Sequence, residues 1–351
     1  MDTQTASRVT RTEITIQTPD HWKIALYRYL PEKITRKHPV LLLHGIASNH
    51  RVWDFGHEEL SSRTDAIHGS ANQGASMPHT GFAHHLAKQG YAVYSMDLRG
   101  RAGSDGPHTG RGKQWSVDDY LLCDLPAVTE YVIAQHGTEK LHWVGHSMGG
   151  ILGFFYQIRH KAANLHSFTT FATALNYTYS TINHFRTLLD YVSALQYFPI
   201  RQLWKPMQPF AGLNTVWNRF LWNPENMKPE IGEAIIGEMI EPISVNEWNQ
   251  IKAISSAEGM PRLSGGFAHR ADDRRIQVPV LMLAGDRDWL CALDGVEWTV
   301  DQLRCDKKLI VFGKEYGSAT HYGHMDLVCG IEAPREVWPK ATAWIEQRDN
   351  M

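Results

Sequence analysis

Short apolar runs alternate with stretches of helical periodicity along most of the chain. Glu13–Gln17, Lys23–Tyr29, Val40–Leu43, Ala92–Met96, Leu141–Gly145, Ser167–Phe171, Val280–Leu283 and Leu309–Phe312 read as strands. Several of these are apolar at consecutive positions, the pattern of strands covered on both faces. Helices are expected near Gly81–Lys88, Val117–Gln135, Met148–Ile158, Gly295–Leu303 and Arg335–Gln347. Strand–helix alternation of this kind predicts an α/β fold, a mostly parallel sheet flanked by helices. In such sheets a site forms outside the carboxyl ends of the strands.

Two segments break the alternation. Asn176 to Arg275 has no clear strand pattern and is rich in aromatics, among them Tyr177, Tyr179, Trp204, Phe210, Trp217, Phe220, Trp222 and Trp248. It is expected to be a largely helical cap inserted between two parts of a core, residues 1–175 and 276–351. Most of its aromatics are expected to pack the cap onto the core, and as a group they imply an apolar cavity. The second segment, His57 to Thr80, is polar and punctuated by Gly69, Gly74 and Pro78, which reads as a loop. Either it borders an entrance or it is a passive surface excursion. Its histidines lack metal-ligand spacing, and no metal or organic cofactor is expected.

Composition narrows the class. At 351 residues and 43% hydrophobic content, the chain can build one large domain with an insertion. A formal charge of −2 suggests neither a nucleic-acid partner nor an anionic membrane patch. No apolar stretch approaches the roughly 18 residues of a membrane span. The start, Met1 to Thr12, is polar and lacks the apolar core of a signal peptide. Cys123, Cys291, Cys305 and Cys329 show no paired spacing, and reduced thiols in a cytoplasmic protein are expected.

The most informative residues are Gly145-His146-Ser147-Met148-Gly149, between a strand-like run and a helix-like one. G-x-S-x-G in that setting is the nucleophile elbow, whose tight turn holds a serine hydroxyl proud of the sheet. Serine becomes nucleophilic when a base takes its proton and an acid orients the base. The acid is sought after the run Val278–Ala284, where Asp286 and Asp288 compete. Asp288 lies further into the loop and is favoured, while Asp286 is expected to cap or to pair with Arg287. The base is sought after Lys308–Phe312, where His324 is favoured over His321. The order Ser147, Asp288, His324, each following a strand, is the order this elbow requires.

An oxyanion needs donors already aimed at it. The backbone N–H of Met148 is one candidate. The other is Ile46, with Ala47 next, in the loop His44-Gly45-Ile46-Ala47 after an early strand. His44 is expected to hydrogen-bond within its turn and, with His146 and Trp289, to border a bound substrate. Cys291 is expected near the site in a packing role.

Taken together, these motifs resemble the α/β-hydrolases, and within them the lipase/esterase branch that includes the acid lipases. The resemblance rests on Leu43–Ile46, Trp115–Tyr120 with Asp124–Ala127, Leu141–Gly149, Gly285–Leu290 and His324–Leu327 leading to Ala333-Pro334. It supports Asp288 and His324 over their rivals. It departs at Met148, where acid lipases usually carry Gln, and at Met96–Ser104, where a turn common in small α/β-hydrolases replaces theirs. It also implies a signal peptide and a larger cap, which this chain is not expected to have. The resemblance implies hydrolysis of a small hydrophobic carboxylic ester without a cofactor. Two alternatives remain open: acyl transfer or thioesterase chemistry like that of polyhydroxyalkanoate metabolism, and a ligand-binding receptor on a hydrolase scaffold.

Overall fold

The strands in chain order are β1 (Val9–Gln17), β2 (Lys23–Pro31), β3 (Val40–Leu43), β4 (Val93–Met96), β5 (Leu141–His146), β6 (Leu165–Phe171), β7 (Tyr197–Phe198), β8 (Ile243–Ser244), β9 (Val280–Gly285) and β10 (Lys307–Phe312). Eight of them form one sheet in the order β1-β2-β4-β3-β5-β6-β9-β10. The computed structural model describes residues 8–55, 81–160, 164–180, 197–253 and 275–351, and the loop expected at His57–Thr80 lies outside them. From β4 to β10 all neighbours in the sheet are parallel. β1 and β2 are antiparallel to their neighbours, so the sheet is mostly parallel, as expected. For the β1–β2 pair the reason is connection length: the turn between them leaves no room for the helix that a parallel crossover needs.

Helices α1 (Phe82–Lys88), α2 (Leu125–His136), α3 (Met148–His160), α4 (Val245–Ala253), α5 (Leu293–Gln302) and α6 (Trp338–Asp349) are the longer ones among the described residues. Two expected helices are interrupted. Ahead of α2 the chain widens into one π-turn, where Leu125 N–H bonds the carbonyl of Tyr120, just before Pro126 removes a donor from the ladder. The C-terminal helix is split into Ala333–Glu336 and α6, with Pro339 in the first turn of the latter. β3, β5 and β9 are buried along their whole length and form the centre of the core.

Between β6 and β9, the described residues 197–253 carry short helices and the two-stranded antiparallel pair of β7 and β8. Strands of two residues are too short to register as a period-2 pattern. Polar contacts dock much of this insertion. Arg101 Nη2 donates to Glu247 Oε1 at 2.6 Å and Trp115 Nε1 to Glu247 Oε2 at 3.0 Å, all three residues being buried. Gln250 Oε1 accepts from the Val117 N–H at 2.7 Å, and Asn49 Nδ2 donates to Glu241 Oε1 at 2.9 Å. The aromatics divide instead of acting as one glue: Trp222 is fully buried, whereas Tyr179, Phe210 and Trp217 are exposed.

Candidate active site

Ser147 sits between β5 and α3 with φ +52, a left-handed conformation that a side-chain-bearing residue adopts only when its surroundings enforce it. The enforcement is local. The Ser147 N–H bonds Phe171 O at 2.9 Å, and the Ser147 carbonyl receives the N–H of Gly150 at 2.9 Å. A Cβ at Gly149 would collide with the carbonyl of Leu43, and one at Gly145 with the backbone of Gly149. Glycine at both positions is therefore what lets the turn close against β3.

The acid and base candidates segregate into two pairs. Asp288 Oδ2 accepts from His324 Nδ1 at 2.8 Å, and both side chains are buried. Asp288 Oδ1 takes the backbone N–H groups of Leu290 at 2.9 Å and Cys291 at 2.7 Å, so the carboxylate cannot swing away from the ring. Asp286 pairs with His321 through a short contact to Nδ1 and accepts the Tyr322 N–H at 2.9 Å. Asp286, expected to cap or to pair with Arg287, thus engages the His321 ring and one backbone N–H.

A cavity of about 270 Å³ opens over Ser147. Ser147 and His324 both line it, while Asp288 lies behind the imidazole. The rest of its wall is largely aliphatic: Ile151 comes from α3, Ile235, Met239, Ile240 and Ile243 from the insertion, and Leu290 from the loop after β9. Tyr177, Trp204 and Trp248 are its aromatic members. Such a wall favours an apolar group and offers a polar one few partners.

Ile46 and Met148 also line the cavity, and among the described residues neither backbone N–H has an assigned acceptor. The loop bends sharply after Ile46, with Ala47 at φ +51. A Cβ at Gly45 would lie 3.1 Å from the Ser147 Cβ, so this loop passes directly beside the serine. Ile46, Met148, the serine and a carboxylate-oriented imidazole thus border one apolar space, an arrangement suited to acyl transfer.

Three residues expected to border substrate fall in different places. His146 lines the cavity; its Nε2–H donates to the His324 carbonyl at 3.2 Å, and burial pushes its pKa well down, keeping the ring neutral. His44 is outside the cavity wall. Its Nδ1–H donates to Gly45 O at 2.8 Å within the turn, and its Nε2 accepts the Leu98 N–H from the loop after β4 at 3.2 Å, so both nitrogens are occupied. Burial lowers its pKa to about 4, consistent with that neutral tautomer. Trp289 faces away, edge-on to Phe220 at 6.1 Å, and its neighbour Leu290 supplies the wall instead. Successive residues on this loop point to opposite sides, and the sequence carried no signal for which would turn inward. Cys291 holds Asp288 through its backbone N–H, and its buried thiol is pushed up in pKa.

One cluster among the described residues has the makings of a metal site: His38, His142 and Asp349, with ligand atoms within 4.8 Å of one another. Its carboxylate is already engaged by His38 Nδ1 at 2.7 Å, His142 Nε2 at 3.3 Å and the backbone N–H groups of Lys37 and His38. Closed by its own hydrogen bonds, the cluster ties the end of α6 to the sheet. No helix among the described residues is long and apolar enough to cross a membrane.

The family model for the alpha/beta hydrolase fold matches residues 38–327, and the chain belongs to that family. Gastric triacylglycerol lipase of Rattus norvegicus is 22% identical over 370 residues, covering 93% of this chain and 86% of that protein. Lipase member M of Mus musculus is 22% identical, covering 80% of this chain and 74% of its own length. Among solved structures, an esterase from Exiguobacterium antarcticum aligns with a TM-score of 0.60 at 17% identity, covering 97% of this chain and 100% of that one. A thermophilic esterase from Thermogutta terrifontis aligns with a TM-score of 0.57 at 16% identity, covering 96% and 99%.

Proposed function

We propose that the protein hydrolyses carboxylic esters with apolar acyl or alcohol groups through Ser147, His324 and Asp288. The observation that carries this reading is the Asp288–His324 pair, 2.8 Å apart, set at the wall of the apolar cavity that Ser147 also lines. Relatives named as triacylglycerol lipases support an ester as the bond class.

In this mechanism the Ser147 hydroxyl attacks the ester carbonyl while His324 takes its proton at Nε2. Asp288 holds the Nδ1–H and stabilises the imidazolium that forms. The tetrahedral oxyanion accepts hydrogen bonds from the Ile46 and Met148 N–H groups, each such donor contributing about 3 kcal/mol to the transition state. His324 returns the proton to the departing alcohol, leaving an acyl group on Ser147. Water then attacks this ester by the same steps in reverse, releasing the acid. The insertion between β6 and β9 acts as the cap, and its described residues supply much of the cavity wall.

The test is turnover of p-nitrophenyl esters from short to long acyl chains, with wild type beside Ser147→Ala, and fluorophosphonate labelling mapped by mass spectrometry. Ester hydrolysis that disappears in the variant, with the label on Ser147, is the expected result. A label on another residue, with Ser147 unmodified, overturns the assignment.

A further inference from the structure

The loop that carries His324 is held from the insertion. The chain after Leu221 runs alongside it, and the Met325 N–H donates to Leu221 O at 2.8 Å. The Asn223 N–H reaches Asp326 Oδ1 at 3.0 Å, and Asn223 Nδ2 reaches the carbonyl of His321 at 2.8 Å. Asn226 then bridges the far side. Its Nδ2 donates to Asp326 Oδ2 at 3.0 Å, its Oδ1 accepts the Glu332 N–H at 3.1 Å, and its carbonyl accepts the Ile331 N–H at 2.8 Å.

Asp326 is the centre of this arrangement. It is fully buried, and besides Asn223 and Asn226 it takes the Gly323 N–H at 3.0 Å. His324 therefore stands between two residues, Gly323 and Met325, whose N–H groups are both pinned, one by Asp326 and one by Leu221. The approach is close enough that a Cβ at Gly323 would lie 2.8 Å from the Asn223 nitrogen. A buried carboxylate is costly to desolvate unless its lone pairs are met. Here donors from the His324 loop and from the insertion meet them together, so the same group that closes the loop also fixes its angle.

We propose that Asp326 is a positioning residue for His324 and that Asn226 is its partner, so that the insertion sets how the imidazole faces Ser147. This rests on the ester-hydrolase reading of Ser147 and His324. It makes residues 221–226 part of the catalytic support, beyond the place of Leu221 in the cavity wall.

The experiment compares the full-length wild type with Asp326→Asn, Asn226→Asp and the double swap. In Asp326→Asn the new NH2 must face the Asn226 NH2 or a loop N–H, and in Asn226→Asp two carboxylates face each other. The swap restores a donor facing an acceptor and leaves an acceptor for the Glu332 N–H. Turnover of p-nitrophenyl butyrate is measured per serine titrated with fluorophosphonate, alongside the melting midpoint. For the singles, kcat per titrated serine falls by about 10- to 100-fold with KM within about twofold, as a misplaced catalytic group predicts. The swap regains about tenfold of that loss. Singles that turn over like wild type, or a swap that restores the midpoint without kcat, overturn the proposal. A wild type silent on esters and unlabelled at Ser147 instead fails the ester reading itself, and this inference with it.

Discussion

Asp288 Oδ2 accepts a hydrogen bond from His324 Nδ1 at 2.8 Å, while two residues earlier Asp286 engages His321. Two carboxylate–imidazole pairs thus stand side by side on the same two loops. Only His324 faces the cavity that Ser147 lines; His321 borders a separate polar pocket with Arg287, Trp289 and Lys314.

The two pairs are separable by kinetics. Replacing Asp288 by Asn keeps the shape but favours the wrong imidazole tautomer. In a serine triad that change lowers kcat by about 10⁴-fold, and a loss of this order on a p-nitrophenyl ester is expected here. Asp286→Asn leaves the second pair without its charge and costs less than about tenfold, because that pair does not touch the reacting atoms. Equal losses in the two variants contradict the assignment.

Cavity shape predicts acyl preference. Ile240 lines the wall with no polar group of its own, and Ile240→Trp removes space without adding charge. The longest ester that wild type accepts is expected to lose about tenfold or more in kcat/KM, since each misfitted methylene is worth about 1–3 kcal/mol. Acetate and propionate esters change little. A uniform loss across chain lengths places the acyl group elsewhere.

Arg101 and Glu247 form a buried ion pair between the core and α4, with side chains fully inaccessible. Arg101→Met strands the carboxylate and is expected to lower unfolding free energy by about 3–5 kcal/mol. Adding Glu247→Leu recovers a large part of that loss, because the cost lies in an unpaired buried charge. Urea unfolding of both singles and the double checks this; strictly additive losses exclude it.

Acid weakens the fold through buried imidazoles. Burial lowers the His142 pKa to about 4, below its unfolded value near 6.5. The unfolded chain therefore binds a proton that the folded one refuses, and stability present above about pH 6.5 is lost as pH falls toward 4. His142→Gln removes one such site, so the decline between pH 6.5 and 4.5 becomes shallower, by at most about 1 kcal/mol per pH unit. Asp326, raised to about 7 by burial, acts in the opposite direction, losing stability as pH rises toward 7. It is present in both proteins and cancels in the comparison. Parallel pH profiles for the two chains contradict the prediction.

Much of the architecture was legible in the sequence because it is written in local patterns. Consecutive apolar residues marked Val40–Leu43 and Val280–Leu283 as strands covered on both faces, and the glycines around Ser147 marked a turn too tight for side chains. The order of Ser147, the aspartates and the histidines along the chain was likewise open to inspection. The short connection from Gln17 to Lys23, which turns β1 back against β2, was equally visible.

Pairing and facing belong to the tertiary structure. Asp286 and Asp288 are two residues apart and His321 and His324 three apart, so sequence distance cannot say which carboxylate meets which ring. That depends on how the loops after β9 and β10 lie against each other, and on the Leu290 and Cys291 N–H groups that turn Asp288. The insertion and the loop it holds were hardest to read because Glu247, Gln250, Asn226 and Asp326 look like surface residues until their partners bury them. A polar side chain carries no mark of its burial in the sequence. Only the long-range donors and acceptors that satisfy it make the interior tolerable, and those come together when the chain has folded.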